Sequence, residues 1–174
     1  GSYLNYSGMK KRRVWARYSM EQQMEAICLA GLPQIVPIAL PEMFQQPETE
    51  DRKRIPLWVR PDVYAMLVAG AKGGLGFSAS KRPDFTARED YLNAYLEVCR
   101  ELTGPLNLGQ VFLFGRSCRD LELTVLEGPK EIVLKNRTLQ KTYPSVAMAN
   151  LSYDGSRYVI LVNSSEQPVK VIVS

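Results

Sequence analysis

The chain contains no histidine, and this absence narrows the chemistry open to the protein. Histidine is a very common zinc ligand and general base, so a Ser-His-Asp triad is excluded. The three cysteines also show no C-x-x-C spacing, the usual pattern of a cysteine metal site. We therefore expect no metal and no cofactor, and any catalysis would rest on carboxylates or on Tyr, Lys, Ser or Cys side chains.

Long hydrophobic runs are absent as well. No stretch of about 18 apolar residues occurs, so the sequence predicts no membrane-spanning helix and no membrane partner. The net charge of +4 would permit nucleic-acid binding, but much of the basic excess lies in two short runs, residues 10–13 and 52–54. Aromatic side chains are not interleaved with these runs, which are typical of solvated loops. We expect no nucleic-acid partner.

Asparagine occurs mostly in one pattern. Four of the six asparagines head an Asn-x-Ser/Thr sequence, the acceptor pattern for N-linked glycans: Asn5, Asn136, Asn150 and Asn163. This favours a secreted protein, extracellular or periplasmic. Serine-rich turns would explain the pattern nearly as well.

Residues 20–103 alternate between helical and strand patterns. Apolar side chains recur at helical spacing in three stretches, and two short apolar or glycine-rich runs lie between them. Thr86 and Glu89 are spaced as a capping box, and Cys28 and Cys99 fall within helical patterns as small buried residues. The predicted elements are a helix at 20–30, a strand at 35–40, a loop at 45–56, a helix at 61–70, a strand at 74–79 and a helix at 87–103.

This order predicts two parallel α/β units. From Gly104 onward the hydrophobic period changes to two, which is typical of antiparallel strands. The first of these predicted strands is QVFLFG, residues 110–115, and Asp154-Gly155 predicts a tight hairpin near the end. We therefore divide the chain into an α/β segment, 1–104, and an antiparallel β-sandwich, 105–174.

Parallel α/β units followed by a small β-sandwich resemble the last third of a glycoside hydrolase with a TIM barrel. The resemblance covers about residues 20–174 and implies the last strands and helices of a (β/α)8-type barrel. It rests on the segments PQIVPIALPE, RPDVYAMLVAGAKGGLGFSA, YLNAYLEVCREL and RYVILVNSSEQPVKVIV.

On this resemblance, residues 35–40 are the seventh barrel strand, and Glu42 lies at its carboxyl end, where barrels place their chemistry. The resemblance implies that Glu42 is the catalytic nucleophile, which attacks the anomeric carbon. The second carboxyl group, about 5 Å away in retaining enzymes, belongs in this family to the fourth strand. Since that strand is not in this chain, activity would require the missing part of the barrel.

Two further groups of side chains are candidates for substrate binding. Polar groups following the second strand could bond sugar hydroxyls, with an ordinary solvated loop as the alternative. Aromatic faces before the first helix could stack on sugar rings, or could simply cover a core edge. The candidates are Ser78, Lys81, Arg82 and Asp84 in the first group, and Trp15 and Tyr18 in the second.

Three barrel strands at most would leave open sheet edges and an uncovered apolar face. We expect a complementary N-terminal polypeptide, or self-association, to cover them, and a glycan as the substrate or ligand. The alternative is a noncatalytic carbohydrate-binding or structural module, in which Glu42 is solvated or salt-bridged.

Overall fold

The computed structural model describes residues 12–41, 46–76, 80–135, 139–165 and 167–174. These ranges contain four α-helices and a 3-10 helix, which immediately precedes the second of them. The helices are α1 (Arg12–Leu29), α2 (Ile55–Val68), α3 (Arg88–Thr103) and α4 (Leu108–Phe114), and the 3-10 helix is Thr49–Arg54.

The strands form one parallel pair and three antiparallel groups. The parallel pair joins β1 (Ile38–Ala39) to β2 (Gly73–Gly74). The antiparallel groups are a three-stranded sheet with the order β3-β7-β8 and the pairs β4-β9 and β5-β6. Their ranges are β3 (Arg116–Ser117), β4 (Leu123–Glu127), β5 (Glu131–Lys135), β6 (Gln140–Pro144), β7 (Val146–Tyr153), β8 (Ser156–Asn163) and β9 (Lys170–Val173).

The predicted parallel order is confirmed in β1, α2 and β2, which follow one another along the chain. The strand predicted at 35–40 is limited to Ile38–Ala39, and this segment pairs through its carbonyl groups. Pro37 O and Ala39 O accept hydrogen bonds from the backbone N–H groups of Lys72 (2.8 Å) and Leu75 (2.9 Å). Proline is tolerated there because its carbonyl, and not the missing N–H, makes the bond. The pair is mixed with antiparallel sheets, and it closes no barrel within the described ranges.

Helix α2 is the centre of the main core. It packs against the helices α1 and α3 and against the strands β7 and β8. The same core takes in Val111, Phe112 and Leu151 from the C-terminal segment. The two predicted segments therefore share a core, and their division at residue 104 remains a prediction.

Helix α2 begins six residues before the predicted start at residue 61. The 3-10 helix leads directly into it through part of the predicted loop, and Pro56 occupies its first turn, where a missing N–H is tolerated. Pro61 lies inside the helix instead of opening it. Ile55 and Val59, one turn apart, are almost completely buried, so packing extends the helix beyond its predicted start.

The strand predicted at QVFLFG is wrong, because these residues belong to helix α4. A short apolar run does not distinguish a strand from a buried helix turn. Here Asn107 has a left-handed backbone (φ 49°), and its carbonyl accepts the N–H groups of Gln110 (3.0 Å) and Val111 (3.2 Å). This turn starts a helix that places Val111 and Phe112 in the core.

Two predictions about side chains are also wrong. The N-cap of α3 is Ala87, and the Thr86 hydroxyl instead accepts a hydrogen bond from Gln46 (3.2 Å). Cys28 and Cys99 are exposed instead of buried. The last turns of α1 face largely outward, and Cys99 lies on the side of α3 that lines a cavity.

The predicted turn residues are confirmed. Asp154 (φ 47°) and Gly155 (φ 70°) form the tight turn between β7 and β8. Gly31 and Gly70 follow the ends of α1 and α2 with positive φ. After α2, the Gly70 N–H bonds Leu67 O and the Ala71 N–H bonds Met66 O, both at 3.0 Å, which is a Schellman motif. No helix in the described ranges is long and apolar enough to cross a membrane.

The G70A substitution is expected to lower the free energy of unfolding by about 1–3 kcal/mol, because φ of +115° is strained for any residue with a Cβ atom. The new methyl group would also lie 3.1 Å from Cε of Met24. Urea unfolding followed by circular dichroism measures the change.

The control is G31A, where φ is +63° and no atom lies within 4 Å of an added Cβ. This variant should lose only about 1 kcal/mol. If both variants lost the same free energy of unfolding, neither the larger φ at Gly70 nor the close contact with Met24 would explain the cost of G70A.

Candidate functional site

The carboxyl ends of β1 and β2 lie at one edge of the parallel pair, and this edge is the candidate site. Pro41 and Gly76 are the last described residues of the two strand segments. Glu42 and Ser78, which follow them, lie outside the described residues. The catalytic assignment of Glu42 and the binding assignment of Ser78 therefore remain predictions.

A cavity of about 320 Å³ adjoins this edge. Pro41, Gly74 and Gly76 line it on the strand side, and the apolar face of α3 lines it opposite, through Leu92, Tyr95, Leu96, Cys99 and Leu102. Among the described residues, no carboxylate lines the cavity. Its one described cation is Lys72, whose Nζ donates to Phe112 O at 3.0 Å. The cavity can accommodate apolar atoms, and its described walls offer no acid/base pair.

The chain leaving this edge is tied to the start of α3. Gln46 Oε1 accepts the Ala87 N–H at 3.1 Å, and Arg52 donates to Asp90 Oδ2 (2.6 Å) and to Thr86 O (3.0 Å). The segment after β1 is thus fixed to the helix that follows β2.

The other polar candidates near this edge are exposed. Lys81, Arg82 and Asp84 lie on the surface and do not line the cavity. Arg82 Nε lies 3.8 Å from Asp84 Oδ1, and its guanidinium group stacks 5.1 Å from the centre of the Phe85 ring. The structure does not bring them together into a pocket.

Trp15 and Tyr18 lie at a different place, where α1 meets the β5-β6 hairpin. Their ring centroids are 5.3 Å apart, and both rings pack against a small second core formed by Val14, Ile132, Leu134 and Tyr143. Lys141 Nζ lies 5.8 Å from the centre of the Tyr18 ring. Both aromatic residues thus cover a core edge, and neither lines the cavity.

A charged cluster that the sequence did not predict joins α2 to α3. Arg60 Nε lies 2.9 Å from Glu101 Oε2, and the Tyr64 hydroxyl donates to the same oxygen at 3.1 Å. Burial first, and then the hydrogen bond and charge of Glu101, raise the pKa of Tyr64 to about 12. The four-residue spacing of Arg60 and Tyr64 on one helix was visible in the sequence, but Glu101 is distant along the chain.

A second cluster lies on the antiparallel sheet. Arg157 makes two parallel hydrogen bonds to the Asp120 carboxylate, at 2.7 and 3.0 Å. Hydrogen bonding to Arg157 is the largest cause that holds the pKa of Asp120 below its usual value. Asn150 joins both residues: its Nδ2 donates to Asp120 Oδ1 and its Oδ1 accepts from Arg157, each at 3.0 Å.

These bonds bear on the Asn-x-Ser/Thr pattern. Asn150 is 6% exposed, and its Nδ2, the atom that would carry a glycan, donates to Asp120. Asn163 Nδ2 donates to Gln167 O at 2.8 Å, while its Oδ1 accepts from Ser165. Asn5 and Asn136 lie outside the described residues. Extracellular or periplasmic location remains a prediction.

The described ranges contain no group of three Cys, Asp or Glu side chains that could hold a metal ion. Comparison of the chain with protein-family models, with curated proteins and with solved structures finds no match in any of the three. The assignment of the candidate site therefore depends on its geometry alone.

Tyr64 should make stability pH-dependent in alkaline solution. Its pKa is about 12 in the folded state and about 10 in the unfolded chain, so the folded state holds the proton more tightly. The resulting stabilisation is complete below pH 10 and is lost as the pH rises to about 12. Urea midpoints measured across this range should fall more steeply for the wild type than for Y64F.

The E101Q variant is the control, since it keeps the tyrosine but removes the carboxylate that raises its pKa. Its alkaline loss of stability should be intermediate between those of the other two proteins. Identical slopes in all three proteins would refute the coupling between Tyr64 and Glu101.

Proposed function

We propose that this chain is the C-terminal portion of a glycoside hydrolase-like protein, in which it supplies part of a barrel rim and a bracing β-layer. The observation that carries the proposal is the parallel β1-β2 pair, with helices on one face and an apolar row on the other. A barrel wall has these features, because its inner face packs against side chains from the remaining strands.

The alternation along β1 supports this proposal. Pro37, Ala39 and Pro41 are buried, whereas Ile38 and Leu40 between them are exposed. An exposed row of three aliphatic side chains is costly in water, since burying each one fully is worth about 1.5–3 kcal/mol. The exposed residues are Val36 (59%), Ile38 (44%) and Leu40 (49%), and Leu75 after β2 is 63% exposed.

The antiparallel strands fit the bracing role. The β3-β7-β8 sheet packs against α2 and α4, the helices that support β1 and β2 from behind. Ala149, Tyr158 and Ile160 of this sheet contact the main core. A β-layer in this position stiffens the helical side of the barrel segment while leaving the carboxyl edge open to substrate.

In this proposal Glu42 is the nucleophile and a second polypeptide segment provides the acid/base carboxyl group. Glu42 would attack the anomeric carbon while the second carboxyl group protonates the departing oxygen, and water would then release the sugar. The described walls of the cavity contain no carboxylate, which agrees with a divided active site. The chain alone is expected not to hydrolyse glycosides.

The proposal is tested on the protein isolated from the cells that produce it. Intact mass spectrometry and light scattering should show a polypeptide or a stable complex that is large enough for a whole barrel, about 250 residues or more. This species should hydrolyse aryl glycosides, and E42Q should lower kcat by at least about 10³-fold, since it removes the nucleophile.

The matched control is E48Q, which makes the same change at an exposed glutamate six residues later. It should leave kcat unchanged. A lone 174-residue monomer without glycosidase activity would overturn the proposal. If such a monomer bound immobilised glycans, a noncatalytic carbohydrate-binding module would replace the hydrolase proposal.

A further inference from the structure

A groove runs along the outer edge of β8. Its volume is about 540 Å³, and six consecutive residues of the strand, 158–163, line it. Successive side chains of a strand point to opposite faces, so a space that touches six in a row must follow the backbone edge. Arg60, Pro61 and Tyr64 of α2 form part of the opposite wall, together with Leu106 and Leu108.

This edge has the features of a strand-pairing surface. In the described part of the chain β8 pairs with β7 alone, over all eight residues from Ser156 to Asn163, and its other edge carries no strand. Exposed edges are normally protected by proline, by lysine or by short length. Between Tyr158 and Val162 the strand has no charge and no proline, and Val159 (41%) and Leu161 (40%) are exposed.

The strand is complementary to itself. In an antiparallel pair related by a two-fold axis through Ile160, Val159 of one copy lies opposite Leu161 of the other, so both exposed aliphatic side chains are paired. The one charged residue of β8, Arg157, lies opposite Asn163, and its charge is already matched by Asp120 within its own chain. The antiparallel pairing about Ile160 therefore places no like charges opposite each other.

We infer that the β8 edge is a self-association surface, through which two copies of this chain join their three-stranded sheets into one continuous six-stranded sheet. Backbone hydrogen bonds along the edge provide the affinity, as in other strand-addition complexes. The Val159–Leu161 pairs determine the register. This interface is separate from the apolar face of β1 and does not depend on the barrel proposal.

Sedimentation equilibrium of the purified chain tests this inference. We expect a concentration-dependent monomer–dimer equilibrium, whose dissociation constant rises at least about tenfold in V159K and in L161K. In the proposed register either change places two lysines diagonally across the pair, and like charges on adjacent strands repel. L113K is the matched control, because Leu113 is equally exposed (40%) but lies on α4.

Hydrogen exchange on the wild-type chain gives a second readout that requires no substitution. Amides of β8 should gain protection as the protein concentration increases. A monomer at every concentration, a dimer unaffected by the β8 variants, or β8 amides without concentration-dependent protection would overturn the inference. The I38K variant separates the two surfaces: a dimer lost in I38K but kept in V159K would assign association to the β1 face instead.

Discussion

The burial of helix α2 is the constraint on which the rest of the fold depends. From Asp62 to Val68 none of its residues is exposed, so the second half of the helix needs packing partners on every side. These partners are α1, α3, β7 and β8. One helix thereby joins elements from both ends of the chain, and the helical segment and the antiparallel sheet form one core.

Helix α2 contacts β1, and in the described part of the chain the side chains on the opposite face of β1 remain exposed. Ala39 fits under the helical layer, whereas Ile38 and Leu40 face outward and are about half exposed. Apolar side chains on both faces are typical of a strand that is covered on both sides. In the proposed barrel the second cover is another polypeptide segment, and the same segment would bring the carboxyl group that the described cavity walls do not contain.

Sequence reasoning succeeded where one local interaction decides the structure. Gly31, Gly70 and the Asp154-Gly155 turn adopt positive φ, which few other residues tolerate, so their positions could be predicted without knowing the fold. It was wrong at QVFLFG, where the start of α4 depends on the turn at Asn107 and on space in the core. The apolar pattern itself allowed either a strand or a helix.

The sequence by itself determined that histidine chemistry is excluded, that helices and strands alternate before residue 104, and that antiparallel strands fill most of the chain from residue 116 onward. Composition and periodicity act over short distances, so a single sequence carries these signals. Only the tertiary structure decided that Glu101 meets Arg60 and Tyr64, that Asn150 is buried beside Asp120, and that Trp15 and Tyr18 cover a second core. It also decided which edges remain open, since an edge is defined by the strands that do not pair with it. Such features depend on contacts between distant segments, for which a single sequence carries no periodic signal.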